Sequence, residues 1–262
     1  MSHNAECGKP RALLGRFVIL AAPRTGSNML CTIVGAHPDI VCHHELFNPR
    51  GIFTALEYRD CELGWGTMAQ RDRDPADFLQ KVFATPLGHE IVGLKTTLYQ
   101  NRRALDVLIA DPTVHKIVLR RRNRVRTFVS TRIAEQLDEW EVYDRSALAR
   151  ERPRVVVEVD ELFRYVEQMD AYYADVCGQI HAHGQTPLET TYERLCRAEE
   201  QARIFAFLGA RAVSLPITPR SVRQNDRSLH DLVANLGELT HALAGHALHA
   251  DLVEPSSGIR SE

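Results

Sequence analysis

Long apolar runs are missing from this 262-residue chain. Met1 to Arg16 holds no apolar core of signal-peptide length, and no later stretch approaches the length of a membrane span. The expectation is a cytoplasmic protein with no membrane-spanning segment. Charge of one sign is missing too. The 32 Lys and Arg nearly balance 34 Asp and Glu, a formal net charge of −2, so a nucleic-acid polymer is not an expected partner. The six cysteines (Cys7, Cys31, Cys42, Cys61, Cys177, Cys196) form no C-x-x-C pair and no regular framework. That speaks against a zinc ribbon or a disulfide scaffold and for free thiols in a reducing cytosol, Cys31 and Cys177 among apolar neighbours. Internal repeats and low-complexity tracts are absent as well.

What is there is ordinary globular material, 44% hydrophobic and 25% charged. The length suits a single α/β domain over 1–262, with 1–16 as an N-terminal extension and 255–262 as a flexible tail. Apolar runs at Phe17–Ala22, Glu90–Leu94 and Lys116–Leu119 read as buried strands, with weaker ones at Arg154–Val159 and Leu188–Tyr192. Helical patterns separate them, which predicts a parallel sheet flanked by helices. A long helix is expected from Asp160 to about His181. Its apolar residues recur at three- and four-residue steps, a stripe that serves the core or could serve a homodimer. Glu199–Leu208 reads as a further helix stopped by Gly209, and Leu229–His249 as a final amphipathic one. Ala55–Asp77 is charged and irregular and reads as a flexible loop.

The stretch Phe17-Val-Ile-Leu-Ala-Ala-Pro-Arg-Thr-Gly-Ser-Asn-Met-Leu30 carries the most chemistry. It reads as a strand, a tight turn at Pro23 to Gly26, and a helix beginning near Ser27. Such a turn aims backbone N–H groups and a helix N-terminus at one point, where a phosphate or sulfate binds. Against the nucleotide-binding pattern G-x-x-x-x-G-K-[ST], Ala21 stands for the first Gly, Ser27 for the Lys and Asn28 for the hydroxyl that holds Mg²⁺. The cation sits inside the loop as Arg24. The cradle is not built for Mg-ATP.

A second element, His115 to Arg132, runs from a strand into a helix, with Arg122 at the turn and Ser130 eight residues later, so that the two can converge on one phosphate. The pair of motifs resembles the sulfotransferases that use 3′-phosphoadenosine-5′-phosphosulfate (PAPS). The resemblance implies a P-loop NTPase-like α/β fold and a first loop, Arg24, Thr25, Gly26, Ser27 and Asn28, that holds the 5′-phosphosulfate. It further implies that Arg122 and Ser130 hold the 3′-phosphate. Thr190-Thr-Tyr-Glu-Arg-Leu195 looks like the family segment that brings a Tyr, here Tyr192, near the adenine. Ser221–Leu229, with Arg223 and Gln224, looks like the segment that folds over the nucleotide. The similarity spans Phe17 to Leu243.

His43-His-Glu-Leu-Phe-Asn-Pro49 resembles the bacterial branch acting on sugars, including those that sulfate nodulation lipo-oligosaccharides and trehalose. There a Glu is the proposed general base, and Glu45 takes its place. Animal members carry a catalytic His in Lys-Thr-His; this chain reads Lys95-Thr96-Thr97, which leaves Lys95 as a helper, with His44 and Arg24 completing the candidate catalytic set. Transfer to a hydroxyl needs in-line positioning, neutralised charge on the leaving phosphate and a proton acceptor. Burial beside Leu46 and Phe47 is expected to raise the Glu45 pKa toward a useful range. The scheme requires no metal; adjacent His43, His44 and Glu45 could suggest a metal site, but neighbours in sequence point in different directions and rarely share one ion. The implied acceptor is a hydroxylated small molecule or carbohydrate, met by Asn48 to Arg73 and Ala134 to Arg154. Two rivals stand beside this reading: a P-loop small-molecule kinase, which would need Mg²⁺, and a non-catalytic nucleotide-binding module, which would bind PAPS without turnover.

Overall fold

The computed structural model describes residues 14–98, 100–148 and 151–253. Cys7 and the tail 255–262 lie outside the described residues, as does most of the expected N-terminal extension. The chain forms two compact units: one takes the chain up to Arg120 together with Asp175–Arg220, and the other takes Arg121–Ala174 and the chain from Ser221 onward.

The first unit is built on a five-stranded, all-parallel sheet: β1 (Gly15–Ala21), β2 (Ile40–Glu45), β3 (Ile91–Thr97), β4 (Val114–Arg120) and β5 (Leu188–Thr191), in the spatial order β2-β3-β1-β4-β5. This is an α/β architecture, a parallel sheet flanked by helices, as the sequence led one to expect. Its helices are α1 (Ser27–Gly35), α2 (Met68–Arg73), α3 (Pro75–Phe83), α4 (Arg102–Ala110) and α7 (Ala198–Phe207). Phe17, Ile19 and Ala21 of β1 pack with Leu30 and Ile33 of α1, Ile117 and Leu119 of β4, and Ile204 and Phe205 of α7. Val18 and Leu20 point the other way and are just as buried, so both faces of the central strand are covered. Gly93 in β3 makes room for this core, because a Cβ there would lie 2.2 Å from the Phe17 ring.

The strand order reverses around β1, and the carboxyl end of β1 feeds the turn at Pro23–Gly26, the loop expected to hold a phosphate. In parallel α/β sheets that place is the ligand-binding crevice. β2 was not among the expected strands, because His43 and His44 interrupt its apolar pattern. Both histidines are nonetheless buried.

The second unit is helical. It contains α5 (Arg124–Leu137), α8 (Leu229–Leu232), α9 (Leu236–Ala242) and the first part of α6 (Val159–Ala182). Its core joins Val125, Phe128, Val129 and Ile133 to Leu162, Leu229, Leu232, Leu239 and Leu243. The expected strand at Arg154–Val159 is only a single bridge, Val155 to Val233. Beyond the bridge, the Asn235 side chain takes over the pairing: it accepts from Val157 N at 2.9 Å and donates to Val157 O at 3.1 Å. The same asparagine opens α9, which is why the predicted helix Leu229–His249 is broken into α8, α9 and a 3-10 turn at Ala247–Leu252.

Candidate functional site

The loop between β1 and α1 carries two left-handed residues, Arg24 (φ 62°) and Gly26 (φ 89°). Thr25 ties the turn by donating from Oγ1 to Ala22 O at 2.7 Å. Gly26 is fixed twice over, by its positive φ and by the neighbouring ring, since a Cβ would sit 2.4 Å from Tyr192 Cδ2. No side chain caps α1, so its first turn presents backbone N–H groups to the loop. The residues expected to hold a phosphosulfate therefore form a cradle in which backbone and ring leave no room for a larger side chain at Gly26.

Glu45, Lys95 and Asn28 meet at the carboxyl ends of β2 and β3. Lys95 Nζ lies 2.8 Å from Glu45 Oε1 and also donates to Asn28 Oδ1 on the first turn of α1. Asn48 Nδ2 donates to Glu45 Oε2 at 2.6 Å. A bulge makes the meeting possible: His43 pairs with Leu94 and Glu45 with Lys95, so one residue of β2 is extra. His44 turns to Cys31 of α1, to which it is hydrogen-bonded, and Glu45 still reaches Lys95. His43 is fully buried, takes a hydrogen bond from Ala55 N on Nδ1 and meets the Trp65 ring edge-on at 5.0 Å. Burial, then the neighbouring His44 and His89, holds its pKa down to about 3.

The pKa of Glu45 reverses an expectation. Burial does push it up, but the Lys95 charge, with hydrogen bonds from Lys95 and Asn48, outweighs burial and holds the carboxyl below its ordinary value. The apolar neighbours Leu46 and Phe47 are in place; the lysine beside them decides the sign.

Ala55–Asp77, expected to be a flexible loop, is organised around Arg71, whose side chain is 1% exposed. Arg71 Nη1 donates to the carbonyls of Leu46, Asn48 and Gly51 at 2.8, 3.0 and 3.1 Å. Nε and Nη2 grip Asp72, and the guanidinium lies 5.7 Å from the Phe47 ring. One cation thus holds the turn that follows Glu45. No sequence motif pointed to Arg71; the aromatic residues Phe47, Trp65 and Phe78 clustered around this segment are the signal that its charges enclose a core.

Arg122, Ser130, Arg223 and Gln224 belong to the second unit. Ser130 is buried on α5 and accepts from Asn225 Nδ2 at 3.0 Å. Arg126, one turn before it, donates to the carbonyls of Asn225 and Arg227, which fastens the segment containing Arg223 and Gln224 to α5. Arg122 and Arg223 are exposed. Among the described residues no three His, Cys, Asp or Glu side chains gather as a metal ion would require, and no helix is long and apolar enough to cross a membrane.

Two curated proteins match most of the chain. Nodulation protein H of Rhizobium meliloti is 27% identical over 234 residues, 85% of this chain and 89% of its own length. Nodulation protein H of Rhizobium tropici is 29% identical over 233 residues, 87% of this chain and 89% of its own length. Over most of its length the chain is similar to these nodulation proteins. Its nodulation-protein relatives agree with the branch to which His43–Pro49 pointed. No family model matches. A solved sulfotransferase from Alicyclobacillus acidocaldarius is 20% identical at a TM-score of 0.48, over 93% of this chain and 95% of that one.

Proposed function

We propose that this protein is a sulfotransferase that moves the sulfuryl group of PAPS to a hydroxyl of a carbohydrate, glycolipid or other hydroxylated metabolite. One observation carries the reading: a carboxylate and a lysine are joined, through Asn28, to the first turn of the helix behind the phosphate loop. When bound, PAPS supplies an activated sulfuryl group on a phosphate leaving group. The residues present suit it. Arg24, Thr25, Gly26, Ser27 and Asn28 offer a cation and backbone donors around a loop whose Gly26 admits no Cβ. Tyr192 packs on that loop as the ring for a base, and Arg122, Ser130, Arg223 and Gln224 take the 3′-phosphate side by resemblance.

Glu45 is the proton acceptor for the incoming hydroxyl. Lys95 holds it ionised and aimed, and Asn48 fixes its second oxygen. Lys95 also delivers an ammonium to Asn28, the helix position where a nucleotide-binding loop would hold Mg²⁺, so a side chain supplies positive charge there. His44, buried one residue before Glu45 in the same strand, adds the smallest of the influences that lower its pKa. The five described cysteines are free, which fits the reducing cytoplasm as the place of reaction.

A screen of hydroxylated acceptors with labelled PAPS, run in excess EDTA and read by mass spectrometry, tests the function. Sulfated product in the absence of free metal is the expected outcome. Turnover that stops on chelation and returns with Mg²⁺ would favour kinase chemistry, and PAPS binding without product from any acceptor would favour a binding module.

A further inference from the structure

Beneath the phosphate loop two thiols face each other. Cys31 lies on α1, one turn after Ser27, and Cys42 lies on β2, three residues before Glu45. Their sulfur atoms are 3.1 Å apart. Both side chains are buried, at 1% and 2% exposure, and neither has a part in the proposed transfer. Cys31 also contacts the carbonyls of Cys42 and His43 at 3.4 and 3.5 Å, so its sulfur is held over the strand. The second hydrogen-bonding partner of Cys31 is the imidazole of His44.

We propose that Cys31 and Cys42 form a peroxide-sensitive dithiol site whose closure to a disulfide slows sulfuryl transfer. A disulfide needs an S–S distance of about 2.05 Å, so closure calls for roughly 1 Å of approach between sulfurs that already face each other. The two thiols are unequal, as a nucleophile and its resolving partner should be. Burial raises Cys31, but the hydrogen bond from Cys42, the charge and hydrogen bond of His44 and the charge of Lys95 together lower it to about 5. Cys42 is pushed up, first by burial and then by Cys31.

The chemistry balances with hydrogen peroxide as oxidant. The Cys31 sulfur, its proton passed to His44, attacks one peroxide oxygen; the O–O bond breaks, and hydroxide leaves with that proton as water. The resulting Cys31 sulfenic acid is attacked by the Cys42 sulfur. The S–O bond breaks, the S–S bond forms, and the Cys42 proton leaves with the hydroxyl as a second water. Two thiols lose two electrons and two protons, and one peroxide becomes two waters. The bridge draws the first turns of α1 toward β2 and takes Cys31 away from His44, the extra residue of the bulge. Both ends of the phosphate loop and base assembly are then displaced by a distance that catalysis tolerates poorly.

The test uses the full chain, reduced and then treated with hydrogen peroxide, quenched, unfolded and alkylated before peptide mapping. The expected product is a linked Cys31–Cys42 peptide pair about 2 Da lighter than the two thiol peptides. Turnover of the bridged form should fall roughly fivefold or more, and its affinity for 3′,5′-adenosine bisphosphate roughly threefold or more, with both restored by dithiothreitol. Cys31→Ser, which lacks the attacking sulfur, should keep its turnover under the same peroxide treatment. Both cysteines alkylated as free thiols after peroxide, or a bridged protein with unchanged turnover and affinity, would overturn the proposal. The turnover measurement rests on the sulfotransferase reading, but the peptide map and bisphosphate affinity do not. A reduced protein inert toward every acceptor would therefore count against that reading, while those two measurements still decide on the dithiol.

Discussion

Replacing Lys95 by Met should reverse the electrostatic setting of Glu45. In the native protein the ammonium stands 2.8 Å from Oε1, with the two side chains only 3% and 20% exposed. At an effective dielectric of about 20, that separation corresponds to roughly 6 kcal/mol of attraction before solvent relaxation. Burial opposes it and is the largest single influence on Glu45, yet the net direction is down. Without the ammonium, burial dominates. The Glu45 pKa should then rise from below its ordinary value of 4.5 to above it. Loss of one close opposite charge moves a carboxyl by about 1–3 pKa units, or about 1.4–4 kcal/mol. The measurement is a ¹³C-NMR titration of the Glu45 carboxyl carbon, assigned by difference from Glu45→Gln. Stability supplies a second sign. Native Glu45, with its folded pKa depressed, stabilises above the unfolded pKa, and that contribution is lost as pH falls through the folded value. In Lys95→Met the folded pKa lies above the unfolded one, so this group's contribution grows as pH falls through that interval. A Glu45 titration that stays put or moves down in Lys95→Met would refute the reasoning.

Glu45→Gln should lower turnover about 10²–10⁴-fold at saturating substrates while bisphosphate affinity changes little, as parallel kinetics and calorimetry would show. Gly26→Ala should abolish nucleotide binding, because its Cβ would meet the Tyr192 ring at 2.4 Å on a left-handed backbone; calorimetry showing native affinity would contradict the cradle. Arg71→Ala strands three carbonyls and should cost about 2–4 kcal/mol in urea unfolding, with Arg71→Lys recovering only part because one ammonium cannot also grip Asp72. His43 is held neutral, its pKa lowered to about 3. The unfolded chain takes up its proton first, so this group's contribution is flat above about pH 6.5 and falls by up to about 1.4 kcal/mol per unit as pH drops toward 3. Denaturation midpoints across that range should show a shallower fall for His43→Gln.

Elements whose physics is local were legible in the chain. The apolar run Phe17–Ala22 and the turn at Pro23–Gly26 predicted β1, its loop and α1, and the periodicity after Asp160 predicted α6 to within a residue or two. What could not be read depends on partners distant in sequence. β2 hides behind two histidines because their burial is arranged by Cys31, Ala55 and Trp65. Arg71 looked like one more charge in a solvated loop, since carbonyls twenty or more residues earlier in the chain are what bury it. Leu229–His249 has continuous helical periodicity, yet Asn235 gains more by completing the pairing of Val157 than by continuing a helix. The sign of the Glu45 shift followed the same rule: its apolar neighbours were visible, whereas the lysine fifty residues later was adjacent only through the strand register.

The bulge at His44 makes the meeting of carboxylate and lysine a matter of residue count as much as of residue type. Between Cys42 and Leu46 the strand carries one residue more than the ladder needs, and that surplus turns Glu45 back toward Lys95. Exchanging the His44 side chain leaves the count intact. Inserting one further residue would carry Glu45 a step past Lys95 and turn the carboxylate to the opposite side of the sheet, although every group named in the chemistry would still be present. Insertions in this short stretch are therefore a harsher filter on activity than substitutions. A relative that keeps Glu and Lys but gains one residue here would carry the same inventory in a different phase.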